Sequence, residues 1–429
     1  MADFDAIVVG AGCAGAAAAF ELAKAGKSVL MIERGNQAGA KNMTGGRLYS
    51  HALKSLHPDF ESEAPLERKI THEKISLLSS DSNFTIDYSS DSMRNAGEDS
   101  YSVLRAEFDP WLASKAEDAG AEAIYGIAVE SLMKDETGKI CGVKAGEDEI
   151  SSDLVILADG VNSLLTKEAV GFEKPTADKL AVGIKQVIEL DEKTVSDRCN
   201  TTNNEGIAWL FAGNSTHGHI GGGFLYTNKT SISLGLVATI SDLYSSQIPI
   251  YQMLEDFKKH PAVAPLIAGG TVVEHSGHMV PEGGLNMMPP LVGDGVILAG
   301  ESAMMCINLG YMVRGMDYSM TAGMFAGREG AKALDNNDTS KAGLQGYIDA
   351  LENSYVLKDL KQFSKFPHFM ESTKRIFNEY PVMIKEIMDG MFIVNGSPTK
   401  PLKTSVIPPL KKVGILNLLK DVRGGMKAL

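Results

Sequence analysis

The stretch Ala6-Ile7-Val8-Val9-Gly10-Ala11-Gly12-Cys13-Ala14-Gly15, running on into Ala16 to Ala19, decides the fold. Its four leading apolar residues predict a short buried parallel strand. The alanine-rich run to about Gly26 predicts a helix, and Ser28 to Ile32 a second strand that stops at Glu33. This is a GxGxxG turn between strand and helix, with an acid 18 positions after Gly15. Gly10 permits the tight turn, and Gly12 lets backbone approach a pyrophosphate. Gly15 and the small residues Ala16 to Ala19 let the helix pack on the sheet with its N-terminus toward the phosphates. Glu33 can accept hydrogen bonds from ribose hydroxyls and would repel a 2′-phosphate. A glycine turn that serves packing alone is the competing reading. Strand, helix, strand and terminal acid together favour a dinucleotide site.

Outward from that site, composition is that of an ordinary globular protein: 44% hydrophobic and 22% charged over 429 residues. The length allows two or three domains at ~150 residues each. Glycine, 44 of 429, stands at ~10% against a usual ~7%, an excess that suits close approach of backbone to a ligand. A net charge of −13 argues against a nucleic-acid partner, because the phosphate backbone rewards clustered cations. Cys13, Cys141, Cys199 and Cys306 form no close pair, so no disulfide framework, zinc site or iron–sulfur set is expected. The acidic start Met1-Ala2-Asp3 carries no secretory signal pattern, and no uncharged apolar run is long enough to span a bilayer. A cytoplasmic protein is expected, with peripheral contact at the inner face of the cell membrane left open.

Two later segments return to the nucleotide fold. Leu154-Val155-Ile156-Leu157-Ala158-Asp159-Gly160 and Val296-Ile297-Leu298-Ala299-Gly300-Glu301 are apolar strands that end in a carboxylate. Acceptors at two further strand ends suit an extended cofactor with a ribityl chain, and long excursions between strands of one sheet cost little loop-closure entropy.

At these residues the sequence resembles the flavoprotein family that includes p-hydroxybenzoate hydroxylase, geranylgeranyl reductases and electron-transfer-flavoprotein:quinone oxidoreductase, and within it the FixC subgroup. The resemblance covers essentially the whole chain. It is most specific at Glu33-Arg34-Gly35, Gly39 to Tyr49, Tyr101 to Arg105, Ala158 to Ser163, Gly221 to Asn228, and Asn308-Leu309-Gly310 with Arg314 to Asp317. It implies FAD as cofactor, held in its ADP half by Gly10, Gly12, Ala14, Gly15, Glu33 and Arg34. It further implies Arg105 near the pyrophosphate and the Val129 backbone along the adenine. Asp159 and the pair Gly300-Glu301 would serve the ribityl or phosphate region; the family usually has Gly-Asp there, and the following Met304-Met305 are bulkier than usual. Gly45, Gly46 and Arg47 would lie at the isoalloxazine face, and Asn308-Leu309-Gly310 would offer backbone N–H groups to the ring.

The expected architecture is α/β: a Rossmann-like FAD-binding domain of residues 1–171 and 276–340, an inserted antiparallel sheet over 172–275, and a helical region over 341–429. In the insert, Gly221 to Gly223 beside Phe224 and Tyr226 suggest an apolar slot for a quinone, with a packed glycine bulge as the alternative. His217, His219, His275 and His278 are expected as loop or sheet histidines, not metal ligands. The Met383, Ile384, Ile387, Met388 and Met391 face reads as core or as a partner contact. From Lys400 onward, seven basic residues stand against one acidic, Asp421, interleaved with Leu and Ile. Such a tail suits an anionic membrane or an acidic partner.

The resemblance implies an FAD oxidoreductase that takes electrons from a two-subunit electron-transferring flavoprotein and gives them to a quinone or a small ferredoxin-like iron–sulfur protein. No side chain need act as an acid–base catalyst. A flavin-dependent C=C reductase or monooxygenase on a small or isoprenoid substrate is the alternative, and a flavin-bearing scaffold a third.

Overall fold

A computed structural model of the chain describes residues 2–40, 46–95, 99–202 and 204–429. The opening stretch forms the strand Phe4–Val9 and the helix Cys13–Lys24, and Val29–Glu33 follows as the second strand. Phe4–Val9 lies parallel between Val29–Glu33 and Asp148–Leu157. Val296–Leu298 and Glu122–Tyr125 extend this sheet in parallel on its two sides. Because it is covered on both faces, its strands are apolar throughout; Ile7, Val8, Leu154, Ile156 and Ile297 have no exposed surface.

The long helix Met316–Asp335 lies across the helix Cys13–Lys24, and the contact is built from the smallest residues. A Cβ on Gly323 would collide with the Ala14 carbonyl, and one on Gly327 would crowd the backbone of Ala18. Small residues bring the two helix axes close, which seats the start of the first helix firmly over the sheet.

A second sheet of nine strands runs in the order Thr271–Pro281, Leu180–Glu189, Ser231–Thr239, Gly221–Thr227, Glu205–Gly213, Leu66–Leu78, Ser100–Val103 and Arg47–Tyr49, with Asn83–Ser89 paired to Leu66–Leu78. Its pairings are antiparallel except that Glu205–Gly213 runs parallel to Leu66–Leu78. The sheet therefore extends beyond the expected 172–275: it draws four strands from residues 47–103 and reaches Pro281. Polar-rich strands such as Leu66–Leu78, with Glu67, Arg68, Lys69, His72, Glu73 and Lys74 interleaved, gave no period-2 pattern strong enough to place them there. One face packs on the helix Ile250–Lys259 through Met253, Leu254 and Phe257. The other turns toward the first sheet.

Beyond residue 341 the chain is helical, ending in Glu379–Phe392, Leu402–Val413 and Ile415–Ala428. The last helix is inside out. Its buried side carries Asp421, which accepts hydrogen bonds from Arg375 and Tyr380, and Gly424 and Gly425 lie against the Phe369 ring. Its exposed side carries Ile415, Leu416, Leu419, Val422 and Met426, with Leu416 82% accessible. Phe392, Ile393 and Val394 are exposed as well. The Met383 to Met391 face of the preceding helix is half-buried to exposed, with only Pro381 of that helix fully buried.

If the glycine contact sets the helix spacing, Gly323→Val must push the two helices apart. Thermal unfolding should then show a lower Tm, corresponding to a loss of about 1–3 kcal/mol from overpacking. An unchanged Tm would show that the contact is slack.

Candidate functional site

An open cleft lies at the C-terminal edge of the first sheet. It is lined by Gly10, Gly12, Glu33, Arg34, Val129, Asp159 and Glu301, among others. Residues separated by up to 291 positions in sequence thus meet because each follows a strand that ends at this edge, the place where open α/β sheets bind ligands.

Gly10 has φ +100, and a Cβ there would strike the carbonyl of Ala158. The helix Cys13–Lys24 begins at Gly12 with no side chain capping it and no acid in its first turn. Among the described residues no side chain caps its first N–H groups, the arrangement that receives a phosphate. Glu33 shapes the turn itself. Its carboxylate accepts from the Ala11 N–H at 3.0 Å and from the Gly35 N–H at 2.7 Å, so it holds the glycine turn in shape. A carboxylate has about four acceptor positions, which leaves room for ribose hydroxyls.

Asp159 is tied to the neighbouring strand end. The Ser302 hydroxyl donates to it at 2.9 Å and accepts from the Gly160 N–H at 2.9 Å. Burial raises the Asp159 pKa, against the hydrogen bonds from Ser163 and Ser302. Burial likewise raises Glu301, with Arg105 pulling the other way. Cys13, buried beneath the turn, has its thiol pushed up to about 12 by burial, which leaves it unreactive.

Other expected contacts stand back from the cleft. Ala14 and Gly15 pack instead of lining it: Gly300 is seated against Ala14, and a Cβ on Gly15 would collide with the Gly10 carbonyl oxygen. Arg105 is buried under the turn, in a bidentate pair with Asp109 at 2.6 and 2.7 Å. Gly46 lies flat on the Tyr226 ring, and Arg47 pairs with Glu73 and stacks over Tyr49 at 4.5 Å. Gly45 lies outside the described residues. The 308–310 loop also stands back from the cleft. The Leu309 N–H already donates to the Met312 carbonyl, and the Gly310 N–H to Asn308 Oδ1 at 2.9 Å, because the two-residue strands Ile307–Asn308 and Val313–Arg314 close a hairpin. Asn308 and Leu309 line a separate small cleft with Glu282, Leu360 and Phe366. The slot expected at Gly221 to Gly223 is also filled: their Cβ positions are taken by the Val237 carbonyl, the Phe211 carbonyl and the Phe257 ring. These glycines serve close strand packing.

The sequence missed Ser302, Asn162 and His278. Ser302 directly follows Glu301 and was legible as a small polar residue; His278 came to the cleft only through the pairing of the second sheet.

Comparison with known proteins agrees with this geometry. The family described as FAD binding domain matches residues 3–218, and the ETF-QO/FixC family C-terminal domain matches residues 366–429. The chain is 48% identical over 426 residues, 99% of each chain, to the probable electron transfer flavoprotein-quinone oxidoreductase YdiS of Escherichia coli K12. It is equally 48% identical, again over 99% of each chain, to protein FixC of Salmonella typhi. Among solved structures, a geranylgeranyl bacteriochlorophyll reductase-like protein from Thermoplasma acidophilum superposes with a TM-score of 0.69 over 96% of this chain and 99% of its own, at 18% identity. That likeness is one of fold. The cofactor is FAD, and the cleft suits it in its uncapped helix start and in its carboxylates.

Removing the Glu33 carboxylate leaves the Ala11 and Gly35 N–H groups without acceptors and takes away the ribose partner. Glu33→Ala should weaken FAD binding about tenfold or more, read by fluorescence titration of the apoprotein. An unchanged Kd would remove Glu33 from the site.

Proposed function

The chain belongs to the ETF-QO/FixC family of FAD-dependent oxidoreductases, and on that premise we propose that it accepts electrons from a reduced two-subunit electron-transferring flavoprotein and delivers them to a quinone. The observation that carries this reading is identity sustained over 99% of both chains to a protein named for that reaction, across the FAD cleft and the C-terminal helices alike. FAD supplies the redox chemistry when bound. The residues of the chain place it and shape what can approach.

The inward face of the second sheet suits a flat apolar acceptor. Phe224 and Tyr226 stack with centroids 5.5 Å apart, with Leu210 and Val237 beside them, and Tyr226 abuts Gly46. The two rings are largely buried, so an acceptor would meet the edge of this apolar cluster. In this reading an iron–sulfur cluster, where the electron path uses one, is carried by a separate small ferredoxin-like protein.

A quinone resides in lipid, and the C-terminal helices have the chemistry to meet it there. The stripe Ile415, Leu416, Leu419, Val422 and Met426 points away from the protein, flanked by Lys420, Arg423 and Lys427. Exposed apolar residues rimmed by cations are what a helix lying in an anionic interface presents. No helix among the described residues is long and apolar enough to cross a membrane, so this contact would be peripheral.

Two measurements test the reading. In anaerobic stopped-flow, the bound flavin should be reduced rapidly by reduced electron-transferring flavoprotein and then reoxidised by a quinone analogue; fast reduction by NADH alone would overturn the donor assignment. In co-sedimentation, the protein should bind vesicles containing anionic lipid and not zwitterionic ones. Replacing Leu416, Leu419 and Val422 with Ser should abolish binding while leaving the FAD spectrum intact; equal binding by the triple variant would refute the membrane contact.

A further inference from the structure

We propose that His278 is the cofactor contact contributed by the second sheet: its imidazole N–H donates to an oxygen of the ribityl–pyrophosphate stretch of FAD, so that loading the cofactor ties the strand Thr271–Pro281 to the first sheet. The proposal concerns the FAD cleft and is independent of which donor and acceptor the protein serves.

Every other residue lining the cleft, among the described residues, belongs to a segment of the first sheet or the turns that follow its strands. His278 alone reaches in from the second. The register places it there. It stands opposite Gly183, which pairs in turn with Val237, so His278 shares the inward face that carries Phe224 and Tyr226. A glycine opposite leaves the ring free to swing toward the cleft.

The side chain is only 12% accessible, yet neither ring nitrogen has a hydrogen-bond partner among the described residues. Its closest charged neighbour, Glu301 Oε2, is 4.0 Å away, beyond hydrogen-bond range. Covering such a ring with a ligand is costly unless the ligand pairs with it. Burial, followed by the positive charges of Arg105 and Arg34, lowers its pKa to about 4. The ring is therefore neutral at pH 7, with one N–H to give and one lone pair to accept. Glu301 and Arg105 are its neighbours, which places it over the middle of an extended cofactor and not over the adenine, where Ile127 to Val129 lie.

The test compares His278→Gln, which keeps an N–H donor, with His278→Leu, which fills similar space without one. Both are examined as apoprotein by thermal unfolding, then titrated with FAD by fluorescence quenching. The Leu variant should bind FAD about ten- to a hundredfold more weakly, the loss expected for a hydrogen bond to a charged or strongly polar oxygen, and the Gln variant close to the parent protein. Hydrogen–deuterium exchange should show amides of Thr271–Pro281 becoming protected on FAD addition in the parent and Gln proteins but not in the Leu variant. Should the Leu variant fail to fold, His278→Ala takes its place under the same criteria. Equal affinity in all variants, equal weakening by Gln and Leu, or protection of the strand irrespective of residue 278 would each overturn the proposal. None of these readouts involves the electron donor or acceptor, so the proposed function stands or falls separately.

Discussion

A methyl group on Gly15 would collide with the carbonyl oxygen of Gly10, and one on Gly323 with the carbonyl of Ala14. These two contacts clamp the start of the helix Cys13–Lys24 from both sides. The turn before it is pressed against the strand end at Ala158, and the helix itself is pressed under Met316–Asp335. The first helix therefore cannot drift along the sheet, and its uncapped N–H groups are held at one point of the edge. Asp159, Glu301 and His278 are positioned relative to that point. Glu33 completes the clamp by binding the Ala11 N–H, so the carboxylate expected to serve the ribose also sets the glycine loop.

The segments that could be read from sequence are those in which one local rule fixes both structure and chemistry. GxGxxG between two apolar runs admits one turn, one helix start and one neighbouring acid, and Glu33 lines the cleft with Gly10 and Gly12. The strand ends at Asp159 and Glu301 were legible for the same reason: a continuous apolar run has to stop where the sheet meets the ligand. His278, the Arg47–Glu73 pair and the strands of residues 47–103 were not legible. Their places depend on pairings between segments more than a hundred residues apart, such as Glu205–Gly213 with Leu66–Leu78, and no local period records a partner strand. At the hairpin around Asn308, a resemblance supplied the expected role, while the Leu309 and Gly310 N–H groups bond within their own turn.

The last helix makes a related point about amphipathic patterns. Its sequence contains an apolar stripe, which by the usual argument should face the core. Asp421, bonded to Arg375 and Tyr380, and the Phe369 ring resting on Gly424 and Gly425 hold the opposite side inward. The cost of leaving Leu416, Leu419 and Val422 in water is tolerable only if something else covers them in use. The excess of cations on the same segment, in a protein of net charge −13, is the pattern on which the proposed contact with an anionic surface rests.

Glu301 stands where the resemblance leads one to expect aspartate, and it is followed by two methionines in place of small residues. Met304 takes a left-handed conformation, φ +58, and it is buried with Val161, Leu180 and Met287; Met305 is fully buried in the main core. The extra bulk is thus directed away from the cleft. What remains at the cleft is a carboxylate one methylene longer, reaching toward His278 on the second sheet.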